Sequence, residues 1–487
     1  MADEQKGEET LDPKDWNSLR TLGHQMVDDM LSYLETVRER PCWQPLPQEV
    51  KASFSEPLPE KPQGAALAYQ DFKKNVLPFP CGNIHPRFWA WVHGTGTAGG
   101  MLADMLASGM NSNVVGGDHA AVYVEYQVLA WLKQALGHPI EASGVLVSGG
   151  TMANFVGLTV ARNAMAGCDV KWMGLANSRP LVIYGSTETH SCIQKTAEAL
   201  GLGTEGLHCV ETDGDFRINM QALRRAVDGD RKAGKVPICV VGNAGTVNTG
   251  AIDDLHALAD FCQAEDLWFH VDGAFGAMAA ISPKLRPLLR GMERADSLAF
   301  DLHKWMYMPY EVGCILVRSE EKHRATFSVP ASYLSAQTRG VAGGPTWFKE
   351  YGLELSRGAR ALKAWFSLKE HGRHKFQRMV EQNVTQAKFL AELIESNQQL
   401  ELLAPVPLNV VCFRFRGGMK DEKTLNALNQ EILWRLQESG AASPSSTILN
   451  GRFAIRVANI NHRSRKEDFE FLVREVIRLG KDIAPTI

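Results

Sequence analysis

Residues 267–304 constrain the fold more than any other part of the chain. An apolar run, Leu267-Trp268-Phe269-His270-Val271, stops at Asp272. A second, Ser297-Leu298-Ala299-Phe300, stops at Asp301-Leu302-His303-Lys304-Trp305. Short apolar runs that end on a polar residue read as strands of a parallel sheet covered on both faces. Parallel neighbours need a crossover, and residues 274–294 supply one. Ligands of open α/β sheets sit beyond the carboxyl ends of the strands. A carboxylate, Asp272, and an amine, Lys304, therefore reach the same rim.

The same order of strand, polar turn and helix recurs upstream. Residues 144–147 run into Ser148-Gly149-Gly150-Thr151-Met152-Ala153-Asn154 and then a helical pattern. Glycines and a hydroxyl residue opening a helix offer free backbone N–H groups and the positive end of a dipole, a seat for phosphate. They also suit a plain turn with an N-cap. Pro180-Leu181-Val182-Ile183-Tyr184 leads to Thr189-His190-Ser191, which brings His190 to the rim either as a hydrogen-bonded structural group or as a ring to stack on. Residues 236–241 end in Gly242-Asn243-Ala244-Gly245-Thr246, and Asp253-Asp254 opens another helix. This repetition predicts a doubly wound α/β domain. An amine and a carboxylate on its rim suit pyridoxal phosphate, whose aldehyde takes a lysine as a Schiff base and whose ring nitrogen takes an acidic partner.

A chain of 487 residues should divide into more than one domain. Asp12-Pro13 predicts a helix start, and Leu19, Leu22, Met26, Met30, Leu34 and Val37 follow at helical spacing. That face packs either on its own chain or on a partner subunit. Six prolines between positions 41 and 62 predict an extended linker. The division expected is residues 1–85 as a helical segment and linker, 86–372 as the large α/β domain, and 373–487 as a small α+β domain. Within these, helices are expected at 102–106, 125–136 and 355–371, the last with Arg357, Arg360 and Lys363 on its polar positions. The small domain should hold helices at 376–396, 424–438 and 465–479, strands near 402, at 410–415 and at 453–458, and a loop at 440–446. Residues 326–345 have no strong period and hold Tyr333, as a lid or a disordered loop would.

The formal net charge of -3 argues against a nucleic-acid binder. Nine scattered cysteines have no metal-ligand spacing, so no metal is expected, and they fit a reducing compartment. The acidic, polar start and the lack of a membrane-length apolar run make a cytoplasmic protein the expectation.

With Asp272, Asp301-Leu302-His303-Lys304-Trp305, Thr189-His190-Ser191 and Ser148-Gly149-Gly150-Thr151 together, the chain resembles the pyridoxal-phosphate-dependent group II amino-acid decarboxylases, which include aromatic-L-amino-acid and glutamate decarboxylases. The resemblance covers nearly the whole chain. It implies an aspartate aminotransferase-like fold and a homodimer with active sites at the interface. It also implies that Lys304 bonds the cofactor, Asp272 pairs with the pyridine nitrogen and His190 stacks on the ring. Gly150, Thr151 and His303 would hold the phosphate, Ala274 would pack under the ring, and Thr246 would line its other side. Tyr333 would be the acid on the mobile loop.

Substrate positions carried over from aromatic-specific relatives are Asn83, Trp91, Val92, Asn113 and Val115. Of these, Trp91 alone keeps aromatic character, while Asn83, Asn113 and Val115 depart from the pattern. An acidic substrate would need a cation, which Arg87 or His93 could supply. An aromatic L-amino acid is the expected substrate, with glutamate or another non-aromatic amino acid as the alternative. Aldehyde synthase chemistry is disfavoured by the presence of both Tyr333 and His190. An aminotransferase would use Arg456 as a carboxylate clamp, and an idle dimeric scaffold would have no need of Lys304.

Overall fold

The apolar runs of the first three-quarters of the chain form one seven-stranded sheet in the computed structural model, which describes residues 10–176, 178–329, 337–419 and 421–486. A two-residue strand, β1 (Phe88–Trp89), precedes it. The sheet consists of β2 (Ser143–Val147), β3 (Leu181–Ser186), β4 (Leu207–Val210), β5 (Val236–Asn243), β6 (Trp268–Asp272), β7 (Ser297–Asp301) and β8 (Gly313–Val317). Its order is β2-β8-β7-β6-β5-β3-β4, and β8 alone runs against its neighbours. Every residue of β2, β3, β6, β7 and β8 is buried. This explains why those segments read as largely apolar runs: helices cover both faces, so neither face meets solvent.

The crossover from β6 to β7 holds three short 3-10 helices, Gly276–Ile281, Arg286–Leu289 and Met292–Arg294. Pro283 and Pro287 prevent a continuous α-helix there.

A second, five-stranded sheet has the order β1-β11-β12-β10-β9, with β9 (Leu400–Leu402), β10 (Val410–Phe415), β11 (Ser443–Leu449) and β12 (Arg452–Ala458). The expected loop at 440–446 is thus largely strand. β11 has few apolar residues, and its ladder comes from backbone pairing to β12 on one side and β1 on the other. β1, expected within the large domain, joins this second sheet instead. Trp89 lies in the second core, stacks on Phe469 at 4.9 Å and donates to Ser464 Oγ at 3.0 Å.

A helix spanning Ala361–Glu395 connects the two sheets and is interrupted only at Gly372, whose φ of 65° suits glycine. It begins six residues later than its apolar pattern predicts, because residues around Arg357 are committed elsewhere. Arg357 is not on a solvated face. It is buried, pairs with buried Glu125 at 2.5 Å and donates to the carbonyls of Val114 and Leu146.

At the other end, Asp15 rather than Asp12 caps the first helix, Trp16–Glu35, accepting from the N–H of Asn17 and Ser18. Within this helix Tyr33 is buried, while Trp16, Leu19 and Leu31 stay exposed. The proline-rich segment contains a short helix, Gln48–Ser53. No helix among the described residues is long and apolar enough to cross a membrane.

Candidate active site

A cavity of about 550 Å³ opens over the carboxyl ends of β2, β3, β5, β6 and β7. Gly150, Thr151, His190, Asp272, Ala274, His303 and Lys304 line it from the sheet side, and Trp91, Val92 and His93 from the other.

Lys304 sits on the single-turn helix Leu302–Trp305 directly after β7, which sends its amine back over the strand ends. Its Nζ lies 2.8 Å from Asp301 Oδ2. Apart from that ion pair, the buried Asp301 oxygens have no hydrogen-bond partner among the described residues. Gly150 and Gly313 close around this carboxylate, since a Cβ on either would come within 2.8 Å of one of its oxygens. Burial alone would lower the Lys304 pKa. Asp301, followed by Asp272 and Tyr310, outweighs it and holds the ammonium proton above the ordinary lysine range.

Asp272 is buried at the end of β6. Its Oδ1 accepts from Ala274 N at 3.0 Å and its Oδ2 from Asn154 Nδ2 at 3.1 Å. Desolvation pushes its pKa up, opposed first by Lys304, then by the Ala274 N–H, His190 and Asn154. His190 Nδ1 accepts from Cys192 N at 3.2 Å, which leaves the ring proton on Nε2. Burial depresses the His190 pKa, Asp272 partly restores it and Lys304 depresses it again, so the ring is neutral at pH 7. His303 Nδ1 sits against the Val312 backbone at 3.0–3.1 Å, with Nε2 3.8 Å from Asp301.

The opposite wall is aromatic. Trp91 and His93 have ring centroids 5.0 Å apart, and Tyr310 meets His93 edge-on at 6.1 Å and His303 at 4.5 Å. The guanidinium that reaches this wall, Arg456, donates to the carbonyls of Trp91, Val247 and Asn248 and to Ser445 Oγ. Arg87 turns away to pair with Asp468 at 3.1 Å, and His93 has its pKa lowered by burial and then by Lys304.

Four expected site residues lie off the cavity. Thr246 is folded into its own turn, 3.0 Å from Thr249 Oγ1 and accepting from Ala251 N, so Asn243, Gly245, Val247 and Asn248 take the wall it was expected to form. Asn83 donates to Gly94 O at 2.6 Å. Asn113 accepts from the N–H groups of Val115 and Arg357, and Val115 follows it in that turn. Tyr333 lies outside the described residues. Asn154, Asp301 and Tyr310 were given no role from the sequence, although Asp301 opens the motif that holds Lys304. Asn154 had a faint signal, one turn beyond Gly150 on a helix whose neighbouring Ala153 and Gly157 are small.

The pyridoxal-dependent decarboxylase conserved domain matches residues 47–416. The chain belongs to that family. It is 33% identical over 472 residues to an aromatic-L-amino-acid decarboxylase of Bacillus atrophaeus, covering 96% of each chain. It is 28% identical over 461 residues to a phenylacetaldehyde synthase of Arabidopsis thaliana, covering 92% of this chain and 93% of the relative. Among solved structures, Oryza sativa TDC with PLP and tryptamine superimposes with a TM-score of 0.91 at 26% identity, covering 97% of this chain and all of the other.

As a family member the chain is a carboxy-lyase acting on an amino acid, with pyridoxal phosphate as cofactor and the aspartate aminotransferase-like fold. The cavity fits that cofactor. It presents one half-buried amine, Lys304, and one hydrogen-bonded carboxylate, Asp272. The helix Gly150–Met165 makes its first internal bond from Ala153 N to Gly149 O, so the N–H groups of Gly150, Thr151 and Met152 precede the ladder and suit a phosphate.

Proposed function

We propose that the chain decarboxylates an aromatic L-amino acid to its amine and carbon dioxide. The observation that carries this is the two-sided cavity: Lys304 and Asp272 on one side, and the rings of Trp91, His93 and Tyr310 on the other. The relative from Bacillus atrophaeus supports the same substrate class. Commitment of Arg87 to Asp468 and of Arg456 to three carbonyls argues against an acidic substrate.

When bound, pyridoxal phosphate supplies an aldehyde for the amino group and an electron sink for the pair left as the carboxylate departs. The chain's own residues do the rest. The Asp301 carboxylate, 2.8 Å from Lys304 Nζ, anchors that amine over the strand ends, where it would meet the cofactor's aldehyde. Asp272 would offer its carboxylate to the ring nitrogen, and neutral His190 would offer a flat face for stacking. Gly150, Thr151 and His303 would hold the phosphate, and Ala274 would pack against the ring. The Tyr333 hydroxyl donates the proton that takes the place of the lost carboxylate at Cα. The working unit is a homodimer, supported by the uncovered Trp16, Leu19 and Leu31, and its compartment is the cytoplasm, supported by nine free cysteines.

A panel of L-amino acids scored for carbon dioxide, amine and peroxide tests this. Aromatic amino acids should give amine and carbon dioxide in equal amounts without peroxide. Turnover of glutamate in preference to them would overturn the substrate class. Tyr333→Phe should divert turnover to aldehyde, ammonia and hydrogen peroxide, consuming one O2 and one water. An undiminished amine yield would remove Tyr333 from the role.

A further inference from the structure

Behind Asp272 runs a chain of polar groups that the chemistry above does not use. Trp268 Nε1 donates to Ser297 Oγ at 2.8 Å, and Ser297 Oγ lies 2.7 Å from His270 Nδ1. His270 Nε2 lies 2.8 Å from Asn154 Oδ1, and Asn154 Nδ2 donates to Asp272 Oδ2 at 3.1 Å. Every member is buried.

Register explains how they meet. Trp268, His270 and Asp272 alternate along β6 and so share one face, Ser297 pairs with His270 across β7, and Asn154 descends from the helix above. Gly157, one turn along that helix, makes room for the imidazole, because a Cβ there would lie 2.8 Å from His270 Cε1.

The two ends dictate the direction of donation. An indole N–H can only donate and an ionised carboxylate can only accept. Ser297 must then donate to Nδ1, His270 must carry its proton on Nε2, and Asn154 must present its amide N–H groups to Asp272. Burial holds the His270 pKa down to about 3, which keeps the ring neutral as this arrangement requires. A cluster serving only to fill the core would need no such polarity.

We propose that Trp268, Ser297, His270 and Asn154 are positioning residues, a one-way hydrogen-bond relay that aims and anchors the Asp272 carboxylate at the cofactor ring. The proposal rests on the reading that Asp272 faces the ring nitrogen. The relay stabilises the carboxylate against the desolvation of its site, and each donor raises the donor strength of the next. It also explains why a helix built around a phosphate seat carries a buried asparagine one turn in.

Two measurements test it. In cofactor-free wild-type protein, histidine-selective 15N NMR should show His270 uncharged with its proton on Nε2 from pH 6 to 9. A proton on Nδ1, or a ring titrating in that range, overturns the relay. In the second, the affinity for pyridoxal phosphate is titrated by absorbance. Asn154→Leu should weaken binding roughly tenfold, the scale of one charge-assisted hydrogen bond. Ser297→Ala should weaken it less and release the His270 tautomer, while Ser297→Thr, which keeps the hydroxyl, should restore both.

Asp272→Asn tells a failure of the relay from a failure of the site it serves. If it weakens binding and Asn154→Leu does not, the relay is wrong and the site reading stands. If Asp272→Asn leaves affinity unchanged, the site reading itself fails. Should Asn154→Leu not fold, Gly157→Ala, which displaces the imidazole without deleting a polar group, distinguishes the same outcomes by the same titration.

Discussion

The two walls of the cavity are built by different physics. The sheet-side wall is charged and hydrogen-bonded around the buried carboxylates Asp272 and Asp301: Lys304 pairs with Asp301, Asp272 with Ala274 and Asn154, and His190 with Cys192. The outer wall is aromatic and partly open, with Trp91 57% exposed and Tyr310 48% exposed. Charges held in a dry site resist displacement, because moving one leaves another unpaired. Rings stacked at a mouth can be exchanged for other rings at small cost. The first wall is therefore suited to a fixed reaction and the second to a variable substrate, and substitutions on the two sides should differ in kind as well as size.

The largest effect should come from Lys304. Lys304→Ala should reduce turnover below detection, and borohydride reduction of the wild-type holoenzyme followed by peptide mapping should place the cofactor on Lys304. The same substitution leaves buried Asp301 without a counter-charge, a loss on the order of 3 kcal/mol in stability. Asp301→Asn in the Lys304→Ala background should recover most of it, read by chemical denaturation. Failure of that rescue would show that Asp301 does not depend on Lys304.

Next is Asp272→Asn, for which kcat should fall roughly a hundredfold or more with little change in KM, since about two pKa units of proton affinity at the ring nitrogen correspond to that factor. On the outer wall the pattern should reverse. Trp91→Ala should raise KM for an aromatic amino acid roughly tenfold and spare kcat, as loss of about 1 kcal/mol of ring contact implies. Steady-state kinetics decide both. A Trp91 variant that loses kcat instead would erase the distinction between the walls.

The same difference governs what could be read before the fold was known. Asp272, Lys304, Gly150 and His190 stand at the ends of apolar runs, and parallel-sheet topology sends all such ends to one edge, so local pattern sufficed to bring them together. The boundaries of β10 were legible for the same reason. β11 was not, because its strand state depends on the partners β1 and β12 rather than on its own side chains. Arg357 looked like a solvated helix position, and only the tertiary fold supplies Glu125 and two carbonyls to bury it. Asn83, Asn113, Val115 and Thr246 were placed by correspondence with relatives; in this chain Asn83 donates to Gly94 O, Asn113 accepts from Val115 and Arg357, and Thr246 is folded into its own turn. Asn154 needed the strand register as well as the helix pattern, since its neighbours in the relay lie 114 to 143 positions further along the chain.

The smallest effect expected is a shift in the titration of His190, and it tests whether the sheet-side wall acts as one electrostatic unit. Burial lowers the His190 pKa below its ordinary value of 6.5, while the Asp272 carboxylate pulls it back up and Lys304 pushes it down. A charged imidazole is favoured by a neighbouring carboxylate, so removing that charge in Asp272→Asn should lower the pKa further. Removing the like charge in Lys304→Ala should raise it. Histidine NMR titration of the cofactor-free variants should show the two shifts with opposite signs, both smaller than the displacement that burial imposes. The neutral form then prevails at pH 7 in all three proteins, so the kinetic losses of the first two substitutions would not arise from His190 becoming charged. Shifts of the same sign would mean that the variants moved the ring instead of its field.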